Sequence, residues 1–154
     1  MTHPEKATEV LELIKNMPST GLHMRELALF QNLLGGFAEN LGLRFTAVNP
    51  EEVAAELHIG QEHLQAAGLV NGGVFATIGE TVGSVMGLVL APGKIVVGVN
   101  NNTDFLHPVT AGVIVAETTV IHAGRSTQVI EVNMFHRERL VAKTTLRTMV
   151  IPQA

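Results

Sequence analysis

A single carboxylate, Glu80, stands inside the apolar run GGVFATIGETVGSVMGLVLAP, with no Lys or Arg within two helical turns of it. Burying an ionised carboxylate without a partner is unfavourable, and burial raises its pKa. Two explanations fit such a residue. Either the segment is an amphipathic helix whose acid points to water, or the acid faces a pocket as a nucleophile or general base. The residues just before the run bear on the choice. Asn71-Gly72-Gly73 combines an N-cap residue with two glycines that let a ligand approach the backbone. A helix start also presents unpaired N–H groups and the positive end of the helix dipole, which suits a developing oxyanion. An ordinary capped helix start explains the same residues. Spacing adds a constraint. Gly72 and Glu80 are eight residues apart, about 12 Å along a continuous helix at 1.5 Å per residue. A carbonyl held at the Gly72 N–H is out of reach of Glu80 on the same helix. If both serve one reaction, two chains supply them.

These residues need a helix, and the sequence predicts one from about Gly73 to Val89, capped at Asn71 or Gly72 and ended by Ala91-Pro92-Gly93. Gly79, Gly83 and Gly87 share one face of it. Each glycine weakens a helix by roughly 0.8–1 kcal/mol relative to alanine, so that face is expected to press on a sheet or on a partner helix. Residues 5–16 and 24–40 read as two earlier helices, the second weakened by Gly35-Gly36. Strands are expected over 43–48, 52–59, 94–105, 113–122, 126–136 and 140–151, the last three as an antiparallel meander. The predicted architecture is α+β: a curved antiparallel β-sheet wrapped around one long central helix, with a helical N-terminal extension over residues 1–40 and the main body over 41–154.

Composition narrows the function. The 154 residues suit a single domain, at 46% hydrophobic and 16% charged. The net charge is −4 and the ten basic residues are scattered, which argues against a nucleic-acid partner. Without cysteine there are no disulfides and no thiolate metal sites. The acidic N-terminal stretch lacks an apolar signal core, and Glu80 within residues 74–91 argues against a membrane span, so a cytoplasmic protein is expected. His58 and His63 have poor spacing for a metal, and residues 100–104 lack the glycine and closing Glu of a calcium loop. There is no phosphate-binding glycine loop and no nucleophile elbow.

The stretch QAAGLVNGGVFATIGETVGS resembles the signature of hot-dog-fold acyl-CoA thioesterases, in the branch with a glutamate on the central helix that includes phenylacetate-pathway and 4-hydroxybenzoyl-CoA thioesterases. That signature is Gly-x-x-His-Gly-Gly with an acid seven residues after the last glycine. Gly68, Asn71, Gly72, Gly73 and Glu80 occupy these places. The likeness continues through VGVNNNTDFLHPVTAG and HAGRSTQVIEV, over about residues 43–151. It implies that Glu80 is the nucleophile or general base and that the Gly72 N–H polarises the thioester carbonyl. It implies that Gln65 positions the attacking group or water, and that Ser84 is the hydroxyl one turn beyond the acid. Asn71 and Gly73 would belong to the substrate-binding turn. His122, Arg125, Ser126 and Thr127 would meet the CoA phosphates and pantetheine. CoA would enter only as part of the substrate, with no separate cofactor and no metal, and a homodimer would be the minimal unit of a homotetramer. The family's turn histidine is Asn71 here, which can cap and donate but cannot titrate near neutral pH. That departure disfavours a hot-dog dehydratase and leaves a non-catalytic acyl-CoA-binding protein as the alternative. The acyl group is not legible; Phe75 and Phe105 could line a pocket, with Met86 and Leu88 as apolar fillers.

Overall fold

The computed structural model describes residues 3–152. Three helices come first: α1 (His3–Lys15), α2 (Met24–Leu34) and α3 (Gly36–Leu41). Strands β1 (Arg44–Val48) and β2 (Val53–Ile59) follow, then a short turn of 3₁₀ helix (Gln61–His63) and the long helix α4 (Gly72–Leu90). Four strands complete the chain: β3 (Val96–Phe105), β4 (Gly112–Ala123), β5 (Thr127–His136) and β6 (Arg139–Val150). The predicted helix over 24–40 is two helices. Gly35 adopts φ 50° and ψ −153°, outside the helical region, and Gly36 also has a positive φ of 59°. Glycine tolerates that backbone where other residues are strained, so the chain breaks there and restarts as α3.

All strand pairs are antiparallel, in the order β1-β2-β4-β5-β6-β3. The sheet wraps α4, which touches β2, β4, β5, β6 and β3. Alternation within the strands sets this up. On β6, Ala142, Thr144, Leu146, Thr148 and Val150 face inward and are buried. On the outer face, Lys143 Nζ lies 2.6 Å from Glu131. That hydrogen bond holds the Glu131 carboxyl below its ordinary range. The N-terminal helices close one flank. Val10 and Ile14 of α1 and Phe30 and Leu33 of α2 join the core, and Phe30 meets Phe45 edge to face at 5.4 Å. The side chain of Gln31 fixes α2 to β1, donating to Leu43 O and accepting from Phe45 N–H, both at 2.9 Å.

The glycine face of α4 presses on the chain's own sheet. A Cβ at Gly79 would collide with Thr144, one at Gly83 would lie 2.7 Å from Leu146 Cδ2, and one at Gly87 would lie 2.9 Å from Gln128 Oε1. These glycines are therefore not what a second copy's helix could pack against. Gly79→Ala is expected to destabilise the fold despite alanine's better helix propensity, because overpacking costs about 1–3 kcal/mol against the roughly 1 kcal/mol gained. A lower midpoint of urea unfolding would register it; an unchanged or higher midpoint would mean that β6 yields easily. Close packing also accounts for the length and apolarity of α4, which alone would allow it to cross a membrane: most of that helix is buried against strands.

Candidate active site

The site lies along the seam between α4 and β3, which run in opposite directions. At one end Phe75 of α4 meets Phe105 of β3, with ring centroids 6.0 Å apart. Near the middle Glu80 meets Gly98 and Asn101. At the far end Gly87 and Leu88 approach Val96.

The α4 start is built as a cap. Asn71 is extended, and its side-chain oxygen accepts from the Gly73 N–H at 2.8 Å. Its carbonyl accepts from Val74 N–H at 2.9 Å. The turn before it is anchored by His63, which is buried. His63 Nδ1 accepts from Gly60 N–H at 2.9 Å, so Nε2 carries the proton and donates to Leu41 O at 2.8 Å. Both ring nitrogens are thus used within the chain. Between the cap and the turn, the Gly72 N–H has no hydrogen-bond partner among the described residues. Gly72 lines a cleft of 230 Å³ together with Gln65, Leu69, Phe75, Phe105 and His107. A Cβ at Gly72 would sit 2.8 Å from the Phe105 ring, so only glycine lets that ring lie against the helix start. Sequence reading put Gln65 and Gly72 in one site, and the structure brings them to one cleft. It passed over His107, whose proximity to Gly72 depends on the chain after β3 folding back past the helix start.

Glu80 sits two turns further on and is half-buried. Among the described residues it forms no ion pair. Its partner is Asn101, whose side-chain nitrogen donates to Glu80 Oε2 at 3.2 Å and to Ala76 O at 2.9 Å. Asn101 is itself held in orientation. Thr103 donates its hydroxyl to Asn101 Oδ1 at 2.7 Å. Thr144 lies 2.7 Å from the Thr103 hydroxyl and, as that proton is already committed, donates to it. A relay of Thr144, Thr103 and Asn101 therefore points a donor at the carboxylate. Gly98 supplies the space, since a Cβ there would collide with Glu80 Oε1. Neither Asn101 nor Gly98 stood out in the sequence. The signal was the run Asn100-Asn101-Asn102 beside a glycine, but it does not say which asparagine turns inward.

Ser84 is half-buried one turn beyond Glu80, and its side chain forms no hydrogen bond among the described residues, unlike Thr77, whose hydroxyl donates to Gly73 O at 2.8 Å. His122, Arg125, Ser126 and Thr127 lie at the β4–β5 hairpin and are exposed. Ser126 O accepts from Val150 N–H, so this hairpin belongs to the Val96 end of the sheet, opposite the Gly72 cleft. Among the described residues, no group of three His, Asp or Glu side chains stands close enough together to hold a metal ion.

One long helix in the grip of an antiparallel sheet, with a carboxylate on its flank, defines the hot-dog thioesterase class. Comparison with known proteins agrees. The family model described as thioesterase superfamily matches residues 67–143. The proofreading thioesterase EntH of Klebsiella pneumoniae is 32% identical over 97 residues, 62% of this chain and 71% of its own. A thioesterase from Haemophilus influenzae is 30% identical in its solved structure, with TM-score 0.78 over 88% of this chain and 95% of that one. The PaaI protein of the Escherichia coli phenylacetic acid degradation operon, 19% identical, shares the fold at TM-score 0.74 over 83% and 93% of the two chains. The chain belongs to the thioesterase superfamily and has the hot-dog fold, and its chemistry is thioester hydrolysis.

Proposed function

We propose that this protein hydrolyses an acyl-CoA thioester to the free acid and CoA in a centre shared by two copies of the chain. The observation that carries the reading is the placement of two groups on one helix, the unpartnered Gly72 N–H and the Glu80 carboxylate that Asn101 holds, about 12 Å apart. An antiparallel pair of protomers sets each group against the other's counterpart. Strand β3 supports that pairing. It is a ten-residue edge strand, and Val99 and Phe105 are 54% and 59% exposed on it. A long edge with free N–H and C=O groups is a template for a second strand. A two-fold axis between Asn101 and Asn102 places Gly98, and so Glu80, opposite the partner's Phe105, which covers the partner's Gly72. The same rotation carries the hairpin with His122, Arg125, Ser126 and Thr127 toward the partner's cleft, where the CoA moiety would lie.

In this arrangement the thioester oxygen accepts from the partner's Gly72 N–H. Glu80 either adds to the carbonyl carbon, giving a mixed anhydride that water then cleaves, or takes a proton from water as hydroxide adds. The oxyanion collapses, the C–S bond breaks, and CoA leaves as thiolate. Asn101 holds the carboxylate, Ser84 offers a hydroxyl to the water or the acyl group, and Gln65 borders the carbonyl site. Asn71 is committed to its cap, so no proton transfer is assigned to it.

The test is a panel of aliphatic and aromatic acyl-CoA esters with a thiol reagent. Release of CoA thiol from at least one ester, with saturation, is the expected result. Tight binding with no thiol released from any ester would turn the reading to a non-catalytic acyl-CoA-binding protein.

A further inference from the structure

The far end of the α4–β3 seam opens into a second and larger cleft, of 560 Å³, between the N-terminal helices and the end of α4. Aliphatic side chains form most of its walls, Val10 and Leu11 of α1, Leu33 and Leu34 of α2, Leu88 of α4 and Val96 of β3, with His3, Lys6 and Thr8 of α1 as the polar part of the lining. It has no Phe lining, in contrast to the smaller cleft at Gly72 with its two Phe rings. The helices that build one wall precede the span that the family model matches. An open concave apolar site of this size suits a flexible hydrocarbon ligand.

The flank of α4 leads to it. Between Ile78 and Val89 the only residues not buried are Glu80, Thr81, Ser84 and Leu88. Glu80, Ser84 and Leu88 follow one another at four-residue steps along one side of the helix, so the path from the carboxylate to the cleft is about 12 Å long. Ser84 is the only polar side chain on it after Thr81, and Leu88 forms the cleft wall.

We infer that this cleft takes the tail of an aliphatic acyl group whose thioester lies at Glu80, so the preferred substrate is a medium- or long-chain acyl-CoA rather than a short-chain or arylacyl one. This rests on the assignment of Glu80 to the reaction centre. A short acyl group ends on the Glu80–Ser84 flank and leaves the cleft empty. A longer one transfers its terminal methylenes from water onto leucine and valine surface. Each methylene buried there tightens binding about fourfold.

The experiment has two arms on the full chain. The first measures equilibrium binding of the non-hydrolysable thioethers S-butyl-CoA and S-dodecyl-CoA, below the micellar range. The second measures hydrolysis of butanoyl-, octanoyl-, dodecanoyl- and benzoyl-CoA. Both use the native protein and Ala7→Trp, which places an indole in the cleft from an exposed position on α1. Leu11→Lys serves as a second variant, setting a charge at the wall. S-dodecyl-CoA is expected to bind on the order of a hundredfold or more tighter than S-butyl-CoA. Both variants should remove most of that gain and leave butanoyl-CoA hydrolysis unchanged. Equal affinity for the two thioethers, or a variant that weakens both alike or neither, overturns the inference. Chain-length-dependent binding that Ala7→Trp abolishes, with no hydrolysis of any ester, keeps the cleft and removes the catalytic reading. Hydrolysis that ignores chain length does the reverse.

Discussion

Glu80→Gln is expected to lower acyl-CoA hydrolysis by on the order of 10²–10⁴-fold, the range that general acid–base groups supply, with folding unchanged. The substitution keeps the shape of the side chain and its place in the space left by Gly98. The glutamine oxygen can still accept from Asn101, so the relay through Thr103 and Thr144 survives. Glu80 is half-buried and has no ion pair among the described residues, so no buried cation is left unpaired by the change. What is lost is the negative charge that attacks carbon or takes a proton. Thiol release under saturating substrate measures the effect, and circular dichroism with a urea titration checks the fold. A variant that kept the native rate would remove Glu80 from the chemistry and reduce it to an acid on a solvated flank.

Much of this site was legible before the fold was known, and the part that was not has a physical reason. Helix α4 was readable because its ends are chemically marked: Asn71 caps the start, and Ala91-Pro92-Gly93 stops the helix within a residue of the expected place. Glu80 stood out because an acid is rare in such a run. The destination of the glycine face was not readable, since a sheet and a second helix both ask for small residues; Thr144, Leu146 and Gln128 decide it. Asn101 was hidden by a β-bulge. Strict alternation from Val96 and Gly98, both turned toward α4, would send Asn100 inward. The register shifts between Gly98 and Asn100, and Asn101 turns to Glu80 instead, while Asn100 accepts from Arg147 at 2.8 Å. Period-two counting cannot see an inserted residue. Nor does any local pattern say that β3, third of the strands along the chain, skips β4 and β5 and docks beside β6 at the sheet edge. That is a long-range choice, and it is the one that forms the seam.

Gly72→Pro is expected to reduce hydrolysis by about 10²–10³-fold, the usual effect of losing one oxyanion donor, and a mixture of this variant with Glu80→Gln is expected to regain activity. Proline is suited to the first helical position, where its missing N–H has no helical partner, and Asn71 already has the extended backbone, φ −64° and ψ 138°, that a following proline requires. The ring would press on Phe105, which is 59% exposed and can swing away. Each variant alone leaves every centre defective. In a mixed dimer, one centre combines both defects, while the other pairs an intact Glu80 with an intact Gly72 N–H. Random pairing makes about half of the dimers mixed, each with one sound centre of two, so roughly a quarter of native activity should return. Co-expression, or dissociation and reassembly of the two purified variants, followed by thiol release gives the measurement. If each centre were contained in one chain, both chains of the mixed dimer would stay defective and no mixing ratio would restore turnover. The rescue separates a shared centre from a contained one without needing to know which acyl group is cleaved, because it depends only on which chain supplies the carboxylate and which the amide.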